Sequence, residues 1–297
     1  MRKIDWVVVL LLAILAVGGR FSGFGDDVPD QHNPRRPPAE MFEPQYWDQE
    51  TRDWLSQGPA RSRNEIPARA PLPIEGIIEP GGKKAPSTGS AFSVSKEGYW
   101  LTARHVAEGC RTTIIQSGDR KGAKVRRTVI HPRADVALLI TKSGPKGLPV
   151  ADRLGGARDA YSIGFPKGQP GAVHARFLGE ITMRHQGRRG FRERVYAWAE
   201  RSRIPARFTS LGGLSGGAVI DGRGRVIGVV QAESRRRGRI MTAKPETYLD
   251  IFRMAGVRVP SATRTGGETR LTGNDYPVTA RRLITTLRVA KVHCLMS

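Results

Sequence analysis

Short runs of alternating apolar and polar residues recur through the middle of the chain. Residues Ser90–Ser95 show this alternation, Lys96–Gly98 predict a turn, and Tyr99–Leu101 begin the next run. A period of two residues predicts half-buried strands, and the 35 glycines and 20 prolines supply turns between them. The pattern favours an all-β domain closed by a helix over residues 245–254. Further strands are predicted at 112–116, 123–129, 136–141, 160–163, 173–182, 194–199, 217–220, 226–232 and 240–243.

The first 20 residues follow a different pattern. Arg2 and Lys3 precede an apolar run from Trp6 to Val17. This run is shorter than the roughly 20 residues that a bilayer-spanning helix needs, and a basic start before a short apolar core is typical of a signal peptide. The cleavage pattern is poor, so a signal peptide and a retained short membrane anchor both stay open for residues 1–20. Either one predicts export of the remaining chain, which would be periplasmic or anchored in the inner membrane with its folded domain outside the cytoplasm.

Two further segments flank the predicted β-domain. Residues 21–73 are rich in Pro and Arg, a composition that neither propagates a helix nor forms central strands. They are predicted to be a linker with one short helix around residues 46–55. Residues 259–297 are basic, and the sequence predicts a C-terminal tail there.

The formal net charge of +22 predicts attraction to anionic partners. The basic residues are scattered and no nucleic-acid-binding motif accompanies them, so nucleic acid is not an expected partner. An anionic membrane or envelope surface and a merely solvated basic surface both stay open.

Cys110 and Cys294 are 184 residues apart and are the two cysteines of the chain. Two free thiols are the expected state, because the sequence does not show that the sulfurs meet. A disulfide stays open as the alternative in an exported protein, and it would brace the segment near His105. No Cys/His cluster has the spacing of metal ligands, so neither a metal nor another cofactor is expected.

Three segments supply the residues of an acyl-transfer site in the order His105, Asp135, Ser215, with gaps of 30 and 80 residues. A serine hydroxyl needs a base to take its proton, and a carboxylate that orients that base. Asp135 precedes an apolar run, where an unpaired carboxylate would be costly, whereas the alternative Asp119 lies in a turn-like context. The Gly213–Gly217 segment allows the sharp turn that exposes Ser215.

A GxSxG segment also marks the nucleophile of α/β-hydrolases. Those enzymes place the acid and then the histidine after the serine, whereas His293 is the one histidine that follows Ser215 here. The chain order therefore argues against that class. A protease-like module that has no activity and docks an anionic partner stays open as the alternative to an enzyme.

The segments Thr88–Ser95, Gly98–His105, Asp135–Leu139, Ser162–Pro166 and Gly213–Asp221 resemble trypsin-like serine peptidases of the bacterial HtrA-like branch. The resemblance covers roughly residues 75–258. It implies a serine endopeptidase that acts on protein or peptide substrates through an acyl-enzyme. It also implies two six-stranded antiparallel β-barrels at residues 74–150 and 151–258, with the active site between them and a C-terminal helix.

The same resemblance assigns the finer parts of the site. The backbone N–H groups of Gly213 and Ser215 would form the oxyanion hole. Leu214 stands where many regulated relatives carry an aspartate, so activation by that ion pair is not expected. Too few residues follow residue 252 for a PDZ domain, so no PDZ-mediated partner is expected. The pocket for the residue before the cut peptide bond is predicted to favour small or medium apolar side chains, and its predicted lining is Thr209, Ser210, Gln231, Ala232 and Glu233.

Overall fold

The computed structural model describes residues 75–78, 87–118, 121–186, 190–259 and 270–296. The predictions for residues 1–20 and 21–73, and Asp119, lie outside the described residues. The strands are β1 (Glu75–Ile78), β2 (Ser87–Ser95), β3 (Tyr99–Thr102), β4 (Thr112–Gly118), β5 (Lys121–Lys124), β6 (Arg127–Ile130), β7 (Ala137–Ile140), β8 (Asp159–Gly164), β9 (Gly171–His185), β10 (Phe191–Ile204), β11 (Ala218–Asp221), β12 (Val226–Ser234), β13 (Arg239–Ala243) and β14 (Val289–Leu295). The helices are α1 (Arg104–Ala107), α2 (Pro245–Ala255) and α3 (Tyr276–Thr285).

The all-β prediction is confirmed, and the strands form two sheets. One sheet closes into a six-stranded barrel in the order β8-β9-β10-β13-β12-β11, with β8 and β9 paired to complete the ring. Strand β1 adds to this barrel in parallel with β9. We call this sheet the closed barrel.

The other sheet has the order β5-β4-β14-β2-β3-β7-β6, and among the described strands no ladder joins β5 to β6. It is a curled half-barrel where the resemblance implied a second closed barrel. One predicted strand, 123–129, is divided between β5 and β6 because the backbone changes partners at Val125 and Arg126. The Val125 N–H donates to the Thr113 carbonyl, and the Arg126 N–H donates to the Ile140 carbonyl. We call this sheet the open sheet.

The secondary structure of residues 276–295 differs from the predicted C-terminal tail. Instead of a basic tail, residues 289–295 form β14, a central strand of the open sheet that pairs with both β2 and β4. Val289 and Val292 are fully buried there. Residues 276–285 form α3, whose buried Tyr276 stacks on Tyr161 of the closed barrel at 5.5 Å between ring centroids.

The expectation of two free thiols is wrong, because Cys110 and Cys294 form a disulfide. Strand β14 pairs with β4 so that Cys294 lies opposite Thr113, close to the end of α1. The Cα atoms of the two cysteines are 5.3 Å apart. The bridge therefore joins the segment that follows His105 to the last strand of the chain.

The two sheets share one apolar core. Phe92 and Leu101 of the open sheet pack in the same cluster as Ile163 and Val229 of the closed barrel. Helix α2 covers this core: its buried Tyr248 has its hydroxyl oxygen 2.6 Å from the Ala151 carbonyl oxygen. A proline in the first turn of α2 and a left-handed glycine after its last turn explain where the helix begins and ends. Among the described helices, none combines the length and the apolarity needed to cross a membrane.

Candidate active site

His105 lies in the single turn of α1, directly after β3. Its ring Nδ1 is 2.7 Å from Oδ2 of Asp135, and its backbone N–H donates to Oδ1 of the same carboxylate at 2.9 Å. An ionised carboxylate only accepts hydrogen bonds, so this contact favours the tautomer with the proton on Nδ1. In that tautomer Nε2 is the ring nitrogen that can accept a proton.

Asp135 lies in the loop between β6 and β7 and is 2% exposed. Burial, the largest influence, raises the pKa of this carboxyl group. The charge of His105 and the hydrogen bonds from its ring and backbone act in the opposite direction, and the pKa of Asp135 ends below its usual value. Asp135 is therefore ionised at neutral pH, as a group that orients an imidazole must be.

Arg104 joins α1 to the loop that carries Asp135. Its buried guanidinium donates to the backbone carbonyls of His131 and Pro132, both at 3.2 Å. It also donates to both oxygens of the Glu108 carboxylate, at 2.7 and 2.9 Å. Hydrogen bonds from a charged group are stronger than neutral ones, so this side chain fixes the distance between α1 and the loop.

Ser215 lies in the loop before β11, and strand β2 holds that loop in place. The Ser90 N–H donates to the Ser215 carbonyl at 2.8 Å, and the Ser90 hydroxyl donates to the Gly213 carbonyl at 2.7 Å. The Ser215 hydroxyl oxygen is 3.5 Å from the carbonyl oxygen of Gln231 in β12. Residues of both sheets therefore contact the serine loop.

Two glycines of this loop adopt backbone conformations that other residues rarely reach. Gly213 has φ +98° and Gly216 has φ +85°. A Cβ atom at Gly216 would lie 2.1 Å from the Ser90 carbonyl oxygen, and one at Gly213 would lie 2.6 Å from the Phe165 carbonyl oxygen. The turn that presents Ser215 thus requires glycine on both sides of the Leu214–Ser215 pair.

The peptide group between Gly212 and Gly213 has a defined orientation. The Lys167 N–H donates to the Gly212 carbonyl at 2.6 Å. The C=O and N–H of a trans peptide point in opposite directions, so the Gly213 N–H points away from Lys167. Among the described residues, neither the Gly213 N–H nor the Ser215 N–H has a backbone acceptor. Two amide donors of the serine loop thus remain available.

A pocket of about 70 Å³ lies beside Ser215. Glu233 and Ala232 line it, whereas Thr209 is exposed and does not line it. Ser210 contributes indirectly: its hydroxyl oxygen is 3.4 Å from Oε2 of Glu233. The rest of the lining is mostly apolar and comprises Leu211, Gly212, Leu214, Ser215, Val230 and Ile240.

Gln231 is in a different place from the predicted pocket wall. Its side chain is 2% exposed and its Nε2 donates to Oε1 of Glu193 at 2.8 Å. The same nitrogen lies 3.4 Å from the carbonyl oxygen of Asp135. Gln231 therefore contacts the residues behind the histidine–aspartate pair and does not line the pocket.

Sequence reasoning missed Ser90, Arg104 and Glu193. Ser90 and Arg104 lie inside the segments Thr88–Ser95 and Gly98–His105, and no pattern in the sequence distinguishes them from their neighbours. Glu193 did leave a signal, because it is two residues before Val195 on a strand and so shares the inward face of that residue. A charged residue at an inward position is uncommon unless it is paired.

Part of the chain is similar in sequence to known proteins. Residues 89–229 match the trypsin-like peptidase domain family. A probable periplasmic serine endoprotease DegP-like of Pseudomonas fluorescens is 28% identical over 192 residues, which cover 63% of this chain and 37% of that protein. The protein of the same description from Ectopseudomonas mendocina is 37% identical over 103 residues, which cover 32% of this chain and 21% of that protein. The chain thus matches about two fifths or less of the length of these relatives.

Among solved structures, the active form of the Rv3671c protease from M. tuberculosis is similar over 68% of this chain and 98% of its own, with 19% identity and a TM-score of 0.47. The HtrA-type protease AlgW with decapeptide is similar over 56% of this chain and 50% of its own, with 24% identity and a TM-score of 0.44.

Proposed function

We propose that this chain is a serine endopeptidase with His105, Asp135 and Ser215 as its catalytic residues. The match of residues 89–229 to the trypsin-like peptidase domain family and the similarity to proteins described as DegP-like serine endoproteases support this proposal. The observation that carries this proposal is the buried, ionised Asp135 held 2.7 Å from Nδ1 of His105. That contact leaves Nε2 as the proton acceptor for a serine hydroxyl, and Ser215 is the serine on the turn that Gly213 and Gly216 shape.

In the proposed reaction the Ser215 Oγ attacks the carbonyl carbon of the peptide bond while Nε2 of His105 takes the hydroxyl proton. The N–H groups of Gly213 and Ser215 stabilise the oxyanion that forms. His105 then gives the proton to the leaving amine, and the C–N bond breaks to leave an acyl-enzyme. Water, activated by the same histidine, attacks the ester and releases the second product.

The pocket beside Ser215 supports a preference for small or medium apolar side chains on the residue before the cut bond. Its volume is about 70 Å³ and most of its lining is apolar. The Glu233 carboxylate lies at the wall of this pocket. Its Oε2 accepts the Leu211 N–H at 2.8 Å, whereas its Oε1 has no hydrogen-bond partner among the described residues and lies 3.7 Å from a guanidinium nitrogen of Arg203, which is paired with Glu200. The apolar lining therefore carries the proposed preference, and the Glu233 carboxylate is tested separately.

We also infer export to the periplasm. The similar proteins are described as periplasmic, and the Cys110–Cys294 disulfide is the bond expected in an oxidising compartment. The net charge of +22 supports contact with an anionic membrane or envelope surface. Protein segments are the proposed substrates.

A fluorophosphonate probe tests the function directly, because it reacts with an activated serine. It is applied to the full chain, since β14 belongs to the open sheet, and to the Ser215→Ala variant. We expect labelling of the parent protein and none of the variant. No labelling of either folded protein would contradict the proposal and favour a docking module without activity.

Peptides that differ only in the residue before the cut bond test the pocket. We expect higher kcat/KM with Ala or Val there than with Lys or Phe. Faster cleavage after Lys that is lost in Glu233→Gln would show instead that the Glu233 carboxylate selects basic residues.

A further inference from the structure

One buried carboxylate outside the proposed triad reaches across the junction of the two sheets. Glu193 is on β10 of the closed barrel, and its side chain is 4% exposed. Its Oε2 accepts the backbone N–H of Asp135 at 2.9 Å. Asp135 lies between two strands of the open sheet, and its own carboxylate is engaged by His105. Glu193 thus holds the backbone of the residue that orients the histidine.

The other oxygen of Glu193 contacts Gln231, the residue whose backbone carbonyl lies beside Ser215. Its Oε1 accepts from Nε2 of Gln231 at 2.8 Å, and the Gln231 backbone carbonyl is the group 3.5 Å from the Ser215 hydroxyl. A single carboxylate therefore contacts the loop behind the histidine and the strand beside the nucleophile. A displacement of either one changes the distance between them.

The surroundings of Glu193 explain how a charge is tolerated at this depth. A buried carboxylate is costly unless it is paired and hydrogen-bonded. Nε2 of His185 lies 3.3 Å from Oε2, close enough for an ion pair but not aligned for a hydrogen bond. The His185 ring stacks on Phe191 at 4.2 Å, and the Arg104 guanidinium is 5.2 Å from the centroid of the same phenyl ring. The Glu193 environment is thus continuous with the side chain that precedes His105.

We propose that Glu193 is a positioning residue that sets the His105–Asp135 pair of the open sheet in register with Ser215 of the closed barrel. The proposal rests on the proposed function. A carboxylate suits this position because both of its oxygens only accept hydrogen bonds, and they face an amide N–H, a side-chain amide and an imidazole nitrogen. A glutamine would turn an NH₂ group toward one of these donors.

The test is Glu193→Gln in the full chain, with Asp221→Asn as the matched control. Asp221 is also a buried carboxylate, paired with Arg225 at 2.7 Å, and has no contact with the triad residues among its hydrogen bonds. Residues that orient the ligands of a catalytic metal typically contribute about 10–100-fold to activity, and we take the same range for a residue that orients an imidazole–carboxylate pair. We expect kcat of Glu193→Gln to fall by about 10–100-fold with KM changed less than about twofold. The control is expected to lower the melting temperature and leave kcat per folded molecule unchanged.

A proton NMR measurement separates this proposal from the proposed function, because it needs no turnover. The proton shared by Nδ1 of His105 and Asp135 gives a downfield resonance. We expect this resonance to shift or broaden in Glu193→Gln and to stay unchanged in Asp221→Asn. If the parent protein is inactive but the resonance still responds, the function fails and the positioning role stands. An unchanged resonance together with a kcat no lower than that of the control would overturn the positioning role.

Gln231→Met provides the second variant if Glu193→Gln does not fold. It removes the side-chain amide that donates to Glu193 and lies 3.4 Å from the Asp135 carbonyl, and it leaves the contact between Glu193 and the Asp135 N–H in place. Each hydrogen bond lost, at about 0.5–1.5 kcal/mol, corresponds to a reduction of kcat of about 2–12-fold. Unchanged kcat and an unchanged NMR resonance in this folded variant would also overturn the proposal.

Discussion

The open sheet and the closed barrel are built from the chain in different ways. The closed barrel takes its six ring strands from one continuous stretch, residues 159–243. The open sheet takes its strands from residues 87–140 and then inserts β14, from residues 289–295, between β2 and β4. Ser215 lies in the stretch that builds the closed barrel. His105 and Asp135 lie in the open sheet, which is complete only when β14 pairs with β2 and β4.

The two halves of the candidate site, the serine loop and the histidine–aspartate pair, therefore depend on different parts of the chain. The serine loop needs contacts that form within and beside the barrel. His105 lies on a segment tied by the Cys110–Cys294 bridge to β14. Lys291 of β14 also donates to the Gly168 carbonyl at 3.2 Å, beside the Lys167 N–H that orients the Gly212–Gly213 peptide. The final strand thus contacts the surroundings of both the histidine and the proposed oxyanion donors.

The largest expected loss of stability comes from a proline in the central strand β14, and the same substitution in the edge strand β1 serves as the comparison. Val292→Pro removes a donor from a buried strand that pairs on both sides, and we expect it to lower the free energy of unfolding by about 3 kcal/mol or more. Ile77→Pro alters β1, which pairs only with β9 among the described strands, and should cost about 1 kcal/mol. Urea unfolding followed by fluorescence measures both. Equal losses would contradict the central role of β14.

The disulfide should have an intermediate effect. Replacing Cys110 and Cys294 together by alanine removes a cross-link that closes a loop of 184 residues. We expect the free energy of unfolding to fall by about 2–4 kcal/mol. A reductant should destabilise the parent protein in the same urea experiment and leave the double variant unaffected. A double variant as stable as the oxidised parent would show that β14 is held by pairing and burial alone.

The smallest expected effect is the pH dependence of the free energy of unfolding that Asp135 contributes. The pKa of Asp135 is lower in the folded protein than its usual value of about 4. Its contribution to stability is therefore present above about pH 4 and is lost as the pH falls through the lower, folded-state pKa. Unfolding free energies of the parent and of Asp135→Asn, measured between pH 7 and pH 3, should converge at the acid end. A constant difference over this range would contradict the sign of the shift.

The sequence by itself determined the parts of the protein that follow from local patterns. Alternating residues predicted most strands between β2 and β13, because each strand carries its own period and its own turn signals. The order and chemical context of His105, Asp135 and Ser215 identified the candidate site. In the structure His105 is paired with Asp135, and Gln231 contacts the Asp135 carbonyl through its side chain and the Ser215 hydroxyl through its backbone carbonyl.

The tertiary structure alone decided which distant segments meet. Residues 289–295 were predicted to belong to a basic tail, because their alternation of buried and polar positions is short and includes Lys291 and His293. They become a strand only because β2 and β4 provide a partner on each side. The disulfide followed from that placement, since no spacing rule brings Cys294 to Cys110. Glu193 lies one residue before the predicted strand 194–199 and was not singled out, because its contact is with the backbone of Asp135, 58 residues away. Pairing and burial between remote segments have no local period, so these contacts are decided only when the two sheets pack together.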